Sequence, residues 1–171
     1  MLFKNDDAKR MFASAMLMAG AALCFATVAG AHEDDDEMYG RRPVVINAKW
    51  ESECGACHVA YPARYLPAES WRAIMSGLDK HFGSNASLDA ADAAEITAFL
   101  EQNAGTGKMS HEVSGKPLLR ITETRWFESE HREISRHTWG NPKVKSRANC
   151  GACHTRAEHG DFSEHNVKIP R

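Results

Sequence analysis

Apolar residues recur at helical spacing in several stretches of the chain. Trp71, Ile74, Met75 and Leu78 stand at i, i+3, i+4 and i+7, which predicts an amphipathic helix over 68–80 with Pro67 near its first turn. Ser87 suits the N-cap of a second helix over 88–103, with Leu88, Ala91, Ile96, Phe99 and Leu100 toward the core and Gly105 past its end. A third helix is expected from Thr122 or Thr124 through Arg136, its inner face bearing Trp126 or Phe127, then His131 and Ile134. Gly140-Asn141-Pro142 marks a turn, and Ser146 is placed to cap a last helix that stops near His159-Gly160. Tyr61-Pro62 and Leu66-Pro67 interrupt any helix between residues 58 and 68. No convincing pair of strands is visible. The pattern is that of a mostly α protein with long loops and no significant sheet.

The N-terminus has a different texture. Lys4, Lys9 and Arg10 precede an almost unbroken apolar run from Met11 to Val28, and Ala29-Gly30-Ala31 matches a small-residue cleavage site. Residues 1–31 are therefore expected to be a cleaved signal peptide, with a retained membrane anchor as the alternative. Residues 32–43, with the acidic run Glu33 to Glu37, form an expected flexible tail. The whole chain of 171 residues has a formal charge of −2, and its basic residues are scattered. That balance gives no footprint for nucleic acid.

The chemistry lies in a pentapeptide that occurs twice, Cys54-Gly55-Ala56-Cys57-His58 and Cys150-Gly151-Ala152-Cys153-His154. Cys-x-x-Cys-His is the attachment signature of c-type haem. The two sulfurs add to the two vinyl groups of one porphyrin, and the histidine is delivered to one face of the iron. Zinc ribbons set their Cys pairs about 15–20 residues apart, far closer than these. A thioredoxin-like dithiol would need a βαβ pattern that neither pair has. The fifth cysteine, Cys24, lies in the leader, so none is left for a structural disulfide. Two covalent haems would supply much of the core of a single unit over 44–171, the first haem region spanning about 44–116 and the second about 117–171. Export agrees with this, because c-type attachment takes place outside the bacterial inner membrane.

Each iron then needs a sixth ligand or an open position. Of the seven methionines only Met38, Met75 and Met109 lie beyond the leader, whereas all nine histidines do. The count leans toward two histidines per iron, an arrangement of lower potential than His/Met. His81, one helix after His58, is the favoured partner for the first haem, with Met109 and His111 as alternatives. Little chain follows His154, so the second haem is expected to reach back to His131, with His137 or His165 next; His159 is too close to His154 to reach the other face. Trp50, four residues before Cys54, is expected to be buried.

Several stretches resemble the small bacterial dihaem cytochrome c family, often called DHC. They are Cys54-Gly-Ala-Cys-His-Val-Ala-Tyr-Pro, Ser70-Trp-Arg-Ala-Ile-Met-Ser-Gly-Leu, His81-Phe-Gly-Ser-Asn-Ala-Ser-Leu-Asp, Arg120-Ile-Thr-Glu-Thr-Arg-Trp-Phe with His131 after it, and Asn149-Cys-Gly-Ala-Cys-His leading to Gly160-Asp-Phe. The resemblance implies a cytochrome c-like helical fold and a monomeric periplasmic electron carrier with two low-potential bis-histidine haems. It also implies redox partners, among them a small monohaem oxygen-binding cytochrome, the sphaeroides haem protein, and a membrane b-type cytochrome. His81 and His131 fall in the family-like stretches. A carrier needs no catalytic residues, and none is expected. The alternatives are the dihaem electron-transfer subunit of a larger periplasmic reductase and, less favoured on chain length, a dihaem peroxidase.

Overall fold

Asn47 starts the first helix by accepting the Trp50 amide on its side-chain oxygen, 2.8 Å away, which satisfies one of the amides a helix N-terminus leaves unpaired. The computed structural model describes residues 44–106 and 116–171. Met109, His111, the leader and the acidic tail lie outside them. Helix α1 spans Ala48–Gly55, α2 Ala68–Met75, α3 Ala90–Gln102, α4 Arg125–Glu130 and α5 Arg136–Trp139. Short 3-10 turns at Ala63–Tyr65, Leu78–Lys80, Ile121–Glu123, Cys150–Ala152, Ala157–His159 and Glu164–Asn166 punctuate the long loops that make up the remainder. Among the described residues there is no strand, only the isolated bridges His81 to Ser84, His154 to Val167 and Arg156 to Asp161. The mostly α expectation holds.

Element ends differ from the sequence expectation, and local hydrogen bonds account for the differences. Helix α2 stops at Met75 rather than near Lys80, because the Gly77 amide turns back to the Ile74 carbonyl and closes a tight end. Asp89, not Ser87, caps α3: its carboxylate accepts the Ala91 and Asp92 amides, while the Ser87 amide is held by Asn85 in a preceding turn. The expected third helix is two helices. Thr124 caps α4 through the Phe127 amide, and Ser135 independently caps α5 through the Thr138 amide. The expected last helix is a series of 3-10 turns, since the Cys153 carbonyl accepts from Lys168 and the Thr155 amide donates to Asn166. Those bonds fold the C-terminal segment back over the second signature. Helix α1 went unforeseen because only Trp50 on it is buried, so no apolar stripe announces it.

The apolar core lies between α1, α2 and α3. Trp50, Leu66, Trp71, Ile96 and Leu100 are buried together with Ala63. Each such large side chain contributes about 1.5–3 kcal/mol on removal from water. The Trp71 indole N–H donates to the Ala63 carbonyl at 2.6 Å, and Trp50 meets Phe99 at 5.4 Å between centroids. Ala91, expected to face inward, is exposed. Ile74, Met75 and Leu78 are only half-buried because they line a cavity rather than the core. Within 116–171 only Phe127, Val144 and Ala157 are buried apolar residues, so that half is arranged around the cavity.

Candidate functional site

One continuous cavity of about 1500 Å³ is lined by Cys54, Cys57 and His58 and also by Cys150, Cys153 and His154. Pockets for a single small ligand run to about 300–1,000 Å³, so this space suits more than one such group.

The first signature leaves the end of α1, with Cys54 in the helix and Cys57 and His58 just beyond it. The His58 Nδ1 lies 2.7 Å from the Val59 carbonyl. A carbonyl only accepts, so Nδ1 carries the proton and Nε2 keeps its lone pair. The His58 ring stacks on Tyr61 at 4.8 Å and 18°. The ring of His81 lies 6.1 Å from it, inclined by 24°. His81 follows the 3-10 turn Leu78–Lys80, and the chain then reverses through left-handed Phe82, φ 48°, and Gly83, φ 99°. A positive φ at a bulky residue such as Phe82 is uncommon and marks a tightly specified turn. Phe82 stands edge-on to His81 at 4.9 Å, and the Arg120 guanidinium lies 4.1 Å above its ring.

The second site mirrors the first with different packing. His131 sits at the C-terminal cap of α4. Its ring stacks on Phe127, four residues earlier, at 4.0 Å and 19°, the pairing an i, i+4 spacing provides. Its Nδ1 lies 2.9 Å from the Phe127 carbonyl, which again frees Nε2. The ring of His154 is 6.1 Å from that of His131, inclined by 71°. Phe162 packs on His154 at 5.4 Å, and Trp139 lies 5.9 Å from His131. The His154 Nδ1 is buried without a hydrogen-bond partner. Tyr65 joins this shell, stacked on Trp126 at 4.8 Å and edge-on to Phe162 at 5.4 Å.

The electrostatics favour neutral ligands. Burial, and then the neighbouring His58, holds the His81 imidazole below its ordinary pKa. Burial does the same for His131, and burial followed by His131 for His154. A neutral imidazole is the form that binds metal. Burial pushes the Cys54 and Cys150 thiols up to about 11, the reverse of what a reactive dithiol needs. Among the described residues no group of three or more His, Cys, Asp or Glu side chains converges to hold a metal by protein ligands alone.

The residues fit a porphyrin iron. Metal–imidazole bonds of about 2.0 Å, with about 1.1 Å from nitrogen to ring centroid, set two axial rings about 6.2 Å apart. Both pairs stand at 6.1 Å. The remaining candidates are placed differently. His137 and His159 are exposed and line no part of the cavity, and exposed His165 reaches it without a ring contact to either pair.

The profile of the dihaem cytochrome c family matches residues 50–162. The chain belongs to that family. It is similar to the solved dihaem cytochrome c of Rhodobacter sphaeroides, with 43% identity and a TM-score of 0.64 over 71% of this chain and all of that one. A second structure, the dihaem cytochrome c of Shewanella baltica OS155, is 45% identical with a TM-score of 0.62, covering 72% of this chain and 93% of that one. Among curated proteins none matches the chain. The dihaem cytochrome thus has two covalently attached c-type haems, and the pairs Cys54/Cys57 and Cys150/Cys153 fit the attachment motif.

Sequence reasoning missed the connection between the two sites. The Tyr61 hydroxyl donates to the Ala148 carbonyl at 2.7 Å, so the residue stacked on His58 is tied to the segment entering Cys150. Tyr61 stands three residues after His58, and an aromatic so close to a signature was the only available signal. Trp139 gave none and Phe162 only its place in the family-like Gly160-Asp-Phe, because their roles depend on chain segments distant in sequence.

Proposed function

We propose that this dihaem cytochrome is an exported, periplasmic electron carrier in which His58 and His81 ligate one iron and His154 and His131 the other, both at low potential. The observation that carries the reading is the pair of imidazole couples at the separation an intervening iron requires, with one Nδ1 in each couple anchored to a backbone carbonyl. Bound haem supplies a one-electron couple at each site. The protein's part is to hold the four imidazoles still: Val59 and Phe127 orient His58 and His131, and the aromatic shells limit water. Ligands that stay in place keep reorganisation small when an electron arrives or leaves, and two histidines give a lower potential than His/Met. The function is transfer, with no substrate transformed.

The partners proposed are other redox proteins, among them a small monohaem oxygen-binding cytochrome and a membrane b-type cytochrome. A single rapid-mixing experiment with each reduced or oxidised partner tests this, second-order electron exchange being expected. The ligation is tested by visible and EPR spectra of both oxidation states. Low-spin signals from both haems are expected; a methionine charge-transfer band or a resting high-spin signal contradicts the assignment. Peroxide turnover by purified protein would replace the carrier reading with an enzyme.

A further inference from the structure

We infer that the two haem sites are electronically unequal, and that the second site, His131/His154, takes its electron at the higher potential. This rests on the proposed bis-histidine ligation and deepens it. The imidazole planes of His58 and His81 are inclined by only 24°, those of His131 and His154 by 71°. Near-parallel imidazoles donate π density into the same iron d orbital, raise it, and so stabilise the ferric state with its hole there. Near-perpendicular imidazoles divide that donation between two orbitals, leave them close in energy and stabilise ferric iron less. The ligand lever therefore favours the electron at the second site.

Packing acts in the same direction. His131 and His154 are half-buried under Phe127, Trp139 and Phe162, whereas His58 is exposed beside Tyr61, and Phe82, against His81, is 48% exposed. Deeper burial of the ligand rings disfavours the extra positive charge of ferric iron. Imidazole hydrogen bonding does not separate the sites, since each couple has one Nδ1 bonded to a carbonyl. Arginine charge does not oppose the order: Arg120 on Phe82 and Arg147 on Phe127 are each paired with a glutamate, Glu123 and Glu128, and the second site's shell has in addition Arg64 over Tyr65 at 5.1 Å. Ligand-plane angle and enclosure then set the order. An electron entering at the exposed first site then runs downhill to the enclosed second, and the one-electron-reduced protein stores it there.

The test is a potentiometric titration of the purified holoprotein followed by low-temperature EPR. The first site should give a rhombic low-spin signal with three resolved g-values, and the second a highly anisotropic low-spin signal dominated by one large g-value. His131→Met should abolish only the anisotropic signal, which assigns it; the wild-type titration stands without that variant. On lowering the potential, the anisotropic signal should be lost first. Loss of the rhombic signal first, simultaneous loss of both, or two rhombic signals would overturn the inference while leaving the ligation intact. A high-spin signal in the wild-type protein would instead strike the ligation itself.

Discussion

Replacing Tyr61 by phenylalanine removes one hydroxyl and nothing else from the link between the haem sites. The lost bond is 2.7 Å long and half-buried, and it joins residues 87 positions apart. A hydrogen bond of this kind contributes about 0.5–1.5 kcal/mol net, and a stranded carbonyl costs about 1–3 kcal/mol if water cannot reach it. Ala148 is only half-buried, so hydration should hold the total near 1 kcal/mol. With an m-value of about 3–5 kcal/mol per molar in guanidinium chloride for a chain this size, the midpoint should fall by about 0.2–0.3 M. Tyr61→Ala also removes the ring stacked on His58 and should cost about 2–3 kcal/mol, less than a fully buried aromatic. Unfolding is followed by far-UV and Soret circular dichroism, and thioether attachment keeps the haems on the chain throughout. A Tyr61→Phe midpoint within about 0.05 M of wild type would refute the bond as a stabilising link. Equal losses for the two variants would refute the separate contribution of the ring.

Ile96→Ala opens a cavity at a fully buried position of α3 and should cost about 2–5 kcal/mol in the same assay, without moving the spectrum of either haem. At Gly160 the backbone is left-handed, φ +69°, and an added Cβ would meet Val44 Cγ2 at 2.5 Å; Gly160→Ala should therefore destabilise by about 1–3 kcal/mol, and wild-type stability would mean that Val44 yields freely. Asp161 accepts from the Ser163 amide and hydroxyl and from Asn166, and those bonds, chiefly the Ser163 hydroxyl, hold its carboxyl below the ordinary 3.8. A depressed carboxyl contributes stability above its unfolded pKa and loses it as pH falls through the folded value. Asp161→Asn should therefore unfold more readily than wild type at pH 7 by about 1 kcal/mol, its site being partly exposed, and the difference should close below about pH 4. A difference that persists into strong acid would show that the turn, not the charge, is responsible.

The covalent chemistry was legible in the chain because it is local: two sulfurs and an imidazole within five residues need no tertiary contact to declare a haem. The helical class was legible for the same reason, since the spacing of Trp71, Ile74 and Met75 or of Ile96 and Leu100 is set by the geometry of one helix. Helix limits were less so. Asp89 outcompeted Ser87, and Ser135 divided a stretch whose apolar pattern runs on, because capping depends on which side chain the backbone actually meets.

His81 and His131 could be singled out by scarcity of methionine, by helical face and by likeness to a family. Chain order also suggested which haem each would serve, but not how each ring comes to face its partner. The approach of His81 to His58 depends on the left-handed reversal at Phe82 and Gly83, and that of His131 to His154 on the C-terminal segment folding back through Lys168 and Asn166. The 24° and 71° inclinations, and the bond from Tyr61 to Ala148, exist only once segments far apart in sequence have packed. Residue order determines what each signature binds; packing between distant segments decides how differently the two sites hold it.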